Sequence, residues 1–469
     1  MRPNVSILVG SGFSIPEEIP GVRQLNQRLY KIDESEILIH TDQRAIFLNG
    51  QDDPNRWSRW DERIFLQEFL EFYSAEVLKP SEEFHYETFY DYYSGYLTNH
   101  ENKEAIEGFY KGFNDKHFKG SDNHRDCYNR ISDFNRSFNQ LLASQLHKTK
   151  YFEDISTLNY PPYDPFIGFL RELLKTSDIK FHSLNHDLFF DWLGHHHSDL
   201  WQHFTDGYQL EGSPFYGTVS YDFNGGTDKK VHKTYYVKLE RFIDKFDKPL
   251  ALYKLHGSVF NTIVYTPQPD QQRIRLKDNY AVSHFLMEIT DPVTGEQKFE
   301  NLWDEVAPDF LSGTTNKTRF YTGDPYYKNL FKHFENNLST SELLVVIGYG
   351  FQDPGINEYL EKNFLARGKH MVVIDPYKPK TDLIEKYKAT YIPKGVTQVT
   401  YQEYLQQIPT ELKPKTEWQR TDRQDTTGNS TYKKLAVQCS AETFVVNQSL
   451  FLRINICGGN RQLLVAANR

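Results

Sequence analysis

Apolar and polar positions follow two different rhythms along the chain. Short runs rich in apolar residues, at 5–9, 179–184, 252–255, 343–347 and 371–374, each end in a polar or glycine-containing turn. Such runs predict strands buried on both faces, and because most are followed by helical spacing they predict a mainly parallel sheet with helices on both sides. Residues 22–32 predict a helix starting close to the first turn, with Val22, Leu25 and Leu29 on one face. From about Ser35 to Thr176 the rhythm is that of amphipathic helices, at 62–78, 82–97, 104–113, 131–146 and 165–175. Aromatics recurring there, such as Phe65, Phe69, Phe72 and Tyr73, predict a core stripe and not a cofactor box.

The pattern predicts an α/β, Rossmann-like architecture with a large helical insertion. The sheet domain is discontinuous, over 1–34 and 177–410, the insertion covers 35–176, and 411–469 forms a linker and tail. Residues 208–249 and 267–324 read as loops and small hairpins at the rim, with a strand-like piece near 280–288. The linker at 421–430 has the composition of a disordered segment, and 443–456 reads as a strand, a hairpin or a poorly structured terminus.

Composition narrows the function classes. Of 469 residues, 38% are apolar and 15% aromatic, enough for a sizeable core, and the net charge of −9 argues against direct binding of nucleic acid as the main task. Three cysteines, Cys127, Cys439 and Cys457, are too few and too scattered for a disulfide framework or a four-cysteine zinc site, so a cytoplasmic setting is expected. No run approaches the length of a membrane span.

In doubly wound sheets ligands collect beyond the carboxyl ends of the strands, so the turns there carry the candidate chemistry. The first is Gly10-Ser11-Gly12-Phe13-Ser14, whose glycines allow close backbone approach and whose amides, with those at the start of the next helix, predict a nest for a pyrophosphate. The second holds Asn185 and Asp187, an amide and a carboxylate on either side of a histidine, either of which also suits a helix cap. The third, Leu255-His256-Gly257, places a candidate general base at a strand end. The fourth, Gly348-Tyr349-Gly350-Phe351, is a second site of close backbone approach, and Asp375 at the next strand tip suits the two hydroxyls of an adenosine ribose. The triplet His195-His196-His197 has no metal-site geometry, since consecutive residues on a helix end point in different directions.

Taken in order, these turns resemble the sirtuin-like family. Gly10 to Ser14 is similar to its Gly-Ala-Gly-x-Ser loop, Pro20 to Arg23 to its Pro-Asp-Phe-Arg segment, Ser183 to Asp187 to its Thr-x-Asn-x-Asp, and Leu255 to Gly257 to its catalytic His-Gly. The run from Ile347 to Asn357 looks especially like the sirtuin-like domains of bacterial anti-phage defence proteins. The resemblance implies NAD as substrate. It implies catalytic roles for Asn185, Asp187 and His256, and NAD-binding roles for Gly10, Ser11, Gly12, Phe13, Ser14, Arg23, Gly348, Tyr349, Gly350, Phe351 and Asp375.

Deacylating sirtuins carry a four-cysteine zinc ribbon, and this chain has no cysteine between His256 and Gly348. The expectation is therefore a metal-free NAD glycohydrolase, a latent anti-phage effector acting as a homo-oligomer or with a second protein such as a HerA-type ATPase or an Argonaute-like protein. A non-catalytic sensor of NAD or ADP-ribose is the alternative, and an NAD-dependent protein deacylase a more distant one.

Overall fold

Seven parallel strands form the central sheet: β1 (Asn4–Val9), β2 (Asp178–Ser183), β3 (Phe204–Thr205), β4 (Leu250–Lys254), β5 (Ser341–Ile347), β6 (His370–Ile374) and β7 (Thr390–Ile392). Their order is β7-β6-β5-β1-β2-β4-β3, so the first strand lies in the middle. The longer helices are α1 (Val22–Tyr30), α2 (Trp60–Phe72), α3 (Tyr86–Asn99), α4 (Lys103–His117), α5 (Cys127–Leu146), α6 (Asp164–Thr176), α7 (Pro325–Thr340) and α8 (Pro354–Asn363). This computed structural model describes residues 2–15, 19–40, 45–48, 59–79, 81–119, 125–146, 163–191, 197–224, 230–278, 282, 284–291, 294–304, 310, 324–393, 442–447, 450–456 and 463–468. The fold is the α/β, Rossmann-like one that the strand and helix rhythm predicts.

Alternate residues of a strand face opposite sides of a sheet, and both sides here are covered. Val5, Ile7 and Val9 join Ile179, Phe181, Val345 and Ile347 in a core that includes Phe166 and Leu170 of α6. On the other face Leu8, Leu344 and Val346 pack with Phe331 and Phe334 of α7 and Ile356 and Leu360 of α8. Full burial on both faces explains why these strands read as apolar runs without alternation.

Helices α2 to α5 build a third core on aromatic side chains. Phe65, Phe69, Phe89, Phe134 and Phe138 are all buried there, with Phe69 and Phe89 edge-on to Phe134 at ring centroids 5.1 and 5.8 Å apart. Leu25 and Leu29 of α1 belong to this core, as do Leu188, Val259 and Phe260 from turns beyond the carboxyl ends of β2 and β4. The helical region is therefore seated on the edge of the sheet formed by the carboxyl ends of its strands.

Two parts of the chain differ from the pattern-based expectation. A hairpin, Ile37–Ile39 with Ala45–Phe47, opens the helical region; three residues per strand are too few to register as a period. The regions expected to be loops and small hairpins instead form two antiparallel sheets, one built on the strands Phe215–Asn224 and Lys230–Lys238. Threonine, tyrosine and lysine on both faces of those strands blur the apolar-polar alternation. The strand-like piece near 280–288 is the strand His284–Thr290. At the carboxyl end Glu442–Asn447, Leu450–Ile456 and Leu463–Asn468 pair as a three-stranded antiparallel sheet, while the predicted linker at 421–430 lies outside the described residues. Among the described residues no helix is long and apolar enough to cross a membrane.

The turns after β1 and β5 interlock through glycine. The Gly12 amide donates to the Gly348 carbonyl at 2.9 Å, and Gly10 to that of Ile347 at 3.0 Å. A Cβ on Gly348 would stand 2.3 Å from the Phe13 nitrogen, in a backbone at φ 60° that L side chains rarely adopt. By contrast a Cβ on Gly112, within α4, meets open space. Gly348→Ala is expected to lower unfolding free energy by at least about 2 kcal/mol through strain and displaced backbone. Gly112→Ala is expected to raise it by roughly 0.5–1 kcal/mol through helix propensity. Urea denaturation of the two variants beside the parent checks both signs.

Candidate active site

The turn after β1 is a single 3-10 turn, Ser11–Phe13, and four backbone amides in and beside it are engaged within the protein. Besides Gly10 and Gly12, the amide of Phe13 donates to Gly10 and that of Ser14 to Ser11. Those four amides are therefore committed within the protein, which leaves the amides at the start of the next helix as the other part of the expected nest. Phe13 does not face a ligand either. Its ring is fully buried, stacked on Phe190 at 5.5 Å and tilted against Tyr163 at 5.2 Å, and the Tyr163 hydroxyl donates to its carbonyl. Phe13 anchors the turn to the core.

Ser14 is the hub that joins the first turn to the second. Its Oγ donates to Asp187 Oδ2 at 2.6 Å and accepts from Asn185 Nδ2 at 3.0 Å, while the same Nδ2 donates to the Gly10 carbonyl at 2.9 Å. Asp187 Oδ1 accepts from the Phe189 amide at 3.1 Å. Asn185 and Asp187 are therefore fixed by the same bonds that fix the glycine turn, and Asp187 also closes the local turn as a capping residue does.

A buried charge cluster holds this loop from below. Lys254, on the last position of β4, donates to the Asp187 carbonyl, to Asp191 Oδ2 at 3.0 Å and to Ser258 Oγ at 3.0 Å. Lys277 Nζ lies 2.9 Å from Asp191 Oδ1 and pairs with Asp206. Burial pushes the Asp191 carboxyl up, but Lys254 and Lys277 outweigh burial and hold it below the usual carboxylate range. Burial likewise pulls the Lys277 ammonium down, and Asp191, Asp206 and Glu240 together carry it well above the usual lysine range.

His256 is buried in the turn after β4, with Gly257 behind it at φ 80°. Its Nε2 lies 3.5 Å from Asp353 Oδ2, and its ring centroid lies 6.1 Å from that of His186. Asp353 precedes α8 and caps it, Oδ1 accepting from the amides of Gly355 at 2.9 Å and Ile356 at 3.1 Å.

These turns surround a cavity of about 330 Å³. Gly10, Ser11, Ser14, Asn185, Asp187, His256, Tyr349 and Gly350, all predicted site residues, line it together with His186, Gln352 and Asp353. The opposite wall is Ile19, Pro20, Val22 and Leu25 around the start of α1, with His85, Tyr86 and Glu87 at the start of α3 and Leu146 at the end of α5. Its ionisable groups are three carboxylates, Glu87, Asp187 and Asp353, three imidazoles, His85, His186 and His256, and the phenols of Tyr86 and Tyr349. No described lining residue is Lys or Arg. Among the described residues there is no cluster of three or more His, Cys, Asp or Glu able to hold a metal ion.

Other predicted site residues stand elsewhere. Gly12 and Gly348 face each other's backbone, so their lack of a side chain serves the interlock. Phe351 is buried among Tyr349, Ile356 and Leu360. Arg23 is exposed on α1 and is not part of the described lining. Asp375 sits at the end of β6, two strands from β1, where Oδ1 accepts from the Tyr377 amide at 2.9 Å and burial raises its carboxyl above the usual range. His186 and Asp353 lay inside turns already singled out by pattern. The α3 residues had no such signal, because helical spacing does not tell which turn of a helix meets a distant sheet.

Lys277→Met leaves Asp206 and Glu240 without their buried cation and halves the pairing of Asp191. It is expected to cost about 3–5 kcal/mol at neutral pH. Because the folded Asp191 carboxyl titrates below its unfolded value, its pairing energy is present above the unfolded value and is lost as pH falls through the folded one. The gap between variant and parent should therefore narrow on acidification. Denaturation of both proteins at pH 7 and at about pH 2, below the usual carboxylate range, measures it.

No protein-family model matches the chain, and no curated protein matches it, so the functional reading rests on the residues and geometry of this cavity.

Proposed function

We propose that the chain is a sirtuin-like NAD glycohydrolase, releasing nicotinamide and ADP-ribose. The observation that carries this reading is the convergence of Asn185, Asp187 and His256, from the ends of two adjacent parallel strands, on one cavity. Its size falls within the roughly 300–1,000 Å³ usual for small-molecule sites. Its three carboxylates, with no Lys or Arg in the described lining, suit the cationic nicotinamide end of NAD, and leave the diphosphate to backbone amides. NAD carries its positive charge on the nicotinamide ring, and loss of nicotinamide moves that charge onto the ribose as an oxocarbenium-like centre. Fixed negative charge beside the ribose stabilises the transition state, where positive charge has moved onto the ribose, more than the ground state, where it lies on the nicotinamide ring.

The diphosphate is assigned to the start of α1 and not to the glycine turn. The first-turn amides of Val22 and Arg23 have no acceptor within a helix, and Pro20 and Val22 line the cavity beside them. The apolar wall of Ile19, Leu25 and Leu146 offers a planar heterocycle a surface to lie on.

In the reaction the bond between the ribose C1′ and the nicotinamide nitrogen breaks, and its electron pair neutralises the pyridinium. A water adds at C1′, and its proton passes to His256, which acts in its neutral form. Asn185 orients the ribose or the water through its amide oxygen, its Nδ2 being held by Gly10 and Ser14. Asp187, held by Ser14 and Phe189, faces the leaving group. The wider reading, a cytoplasmic anti-phage effector released from a latent state, rests on the resemblance of the five turns to that family.

Purified protein incubated with NAD should release nicotinamide and ADP-ribose in equal amounts, with a rate that rises with pH through the titration of a histidine. His256→Ala should lower that rate by roughly 10²–10⁴-fold and flatten the limb. NAD binding by calorimetry with no release of nicotinamide would favour the sensor reading instead. Release that requires an acyl-lysine peptide would favour a deacylase.

A further inference from the structure

Asp353 lies outside the set of residues that the family resemblance assigns, yet it is the carboxylate at ion-pair distance from His256, 3.5 Å from Oδ2 to Nε2. Its orientation is not free. Oδ1 is held by two first-turn amides of α8, and a carboxylate fixed at one oxygen presents the other in a defined direction, here towards the imidazole. The fixing is reinforced from behind, since the Tyr349 hydroxyl lies 3.1 Å from the Asp353 carbonyl and 3.0 Å from Asn357 Oδ1, tying the strand end to the helix. Both side chains are largely withdrawn from water, at 5% and 17% exposure, where a charge pair is screened less than at a surface.

The remaining titratable groups around the cavity are His186 and Asp187 on the loop after β2, His85 and Glu87 at the start of α3, and the phenols of Tyr86 and Tyr349, which burial raises above the usual tyrosine range and keeps neutral. Asp187 is committed on both oxygens, to Ser14 and to Phe189. His186, a second imidazole 6.1 Å away, opposes a charge on His256 when it is itself protonated.

We infer that Asp353 is a positioning residue that aims the His256 imidazole and favours its protonated form, coupling the cap of α8 to the general base. This rests on the reading of His256 as the base of NAD cleavage, and it adds the source of that basicity. A neutral histidine must accept a proton as water attacks C1′. A carboxylate already in place lowers the energy of the imidazolium so formed, with no reorganisation at the moment of transfer.

Asp353→Asn tests the inference with the cap kept, because asparagine caps helices as well as aspartate does. Selectively labelled histidine, with the His256 resonance assigned by its loss in His256→Gln, gives a titration curve by nuclear magnetic resonance in the absence of any turnover. An opposite charge within about 4–6 Å typically moves a titration by 1–3 pH units. The variant should therefore bind the His256 proton at least roughly tenfold more weakly than the parent, with an unchanged melting temperature. The rising limb of NAD cleavage should move to lower pH by the same amount. An unchanged His256 titration in the variant overturns the inference. Should Asp353→Asn fail to fold, Asp353→Ser, which also caps, gives the same comparison. The titration needs no catalysis, so a protein that never cleaves NAD refutes the functional reading while the titration still decides the role of Asp353.

Discussion

Backbone contact between the glycines of two turns sets the geometry of the loop beside them. Gly10 and Gly12 at the end of β1 lie against Gly348 and Tyr349 at the end of β5, at separations no Cβ could occupy. Backbone hydrogen bonds from Gly10 and Gly12 to Ile347 and Gly348 then lock the two turns in register. Because the carbonyl of Gly10 and the hydroxyl of Ser14 hold Asn185, and Ser14 holds Asp187, the position of that amide and that carboxylate follows from the contact. The glycines thus act first on the protein and only indirectly on a ligand. This is a different physical role from the phosphate cradle that the same spacing suggests.

Two electrostatic layers are stacked beneath and around the cavity. The lower one is closed: Lys254 and Lys277 neutralise Asp191 and Asp206 in a largely buried cluster, which costs desolvation but fixes the loop carrying Asn185 and Asp187 to β4 and to the neighbouring antiparallel sheet. The upper one is open and acidic, with Glu87, Asp187 and Asp353 around the space. The cations of the fold are thereby held below the loop, and the described wall of the cavity presents carboxylates and imidazoles. The helical region completes that wall through Glu87 and its neighbours, which gives the insertion a part in the site beyond packing.

The central sheet was legible because its strands are buried on both faces: residues such as Val345, Val346 and Ile347 leave no polar side to interrupt the run. The antiparallel sheets were not, since strands such as Lys230–Lys238 carry Tyr235, Tyr236, Lys233 and Lys238 with no clean alternation. For the site, the turn motifs located Asn185, Asp187 and His256 in one cavity, because strand ends of a parallel sheet converge by topology. Motifs could not separate residues that face the cavity from residues that support it. Phe13, Gly12 and Phe351 stand in the same turns as their neighbours and point into the core or onto backbone. Asp353 reads in sequence as an ordinary helix cap, and only its distance from His256 gives it a second role.

The central claim is that this cavity holds NAD with the nicotinamide ribose between Asn185, Asp187 and His256. A crystal structure of the Asn185→Ala variant grown with NAD tests it most directly, since substrate should survive in that site. The account predicts the nicotinamide ribose within hydrogen-bonding reach of His256 and the diphosphate against the first turn of α1. NAD bound outside this cavity, or with its diphosphate on His256 and its nicotinamide ribose elsewhere, would contradict it.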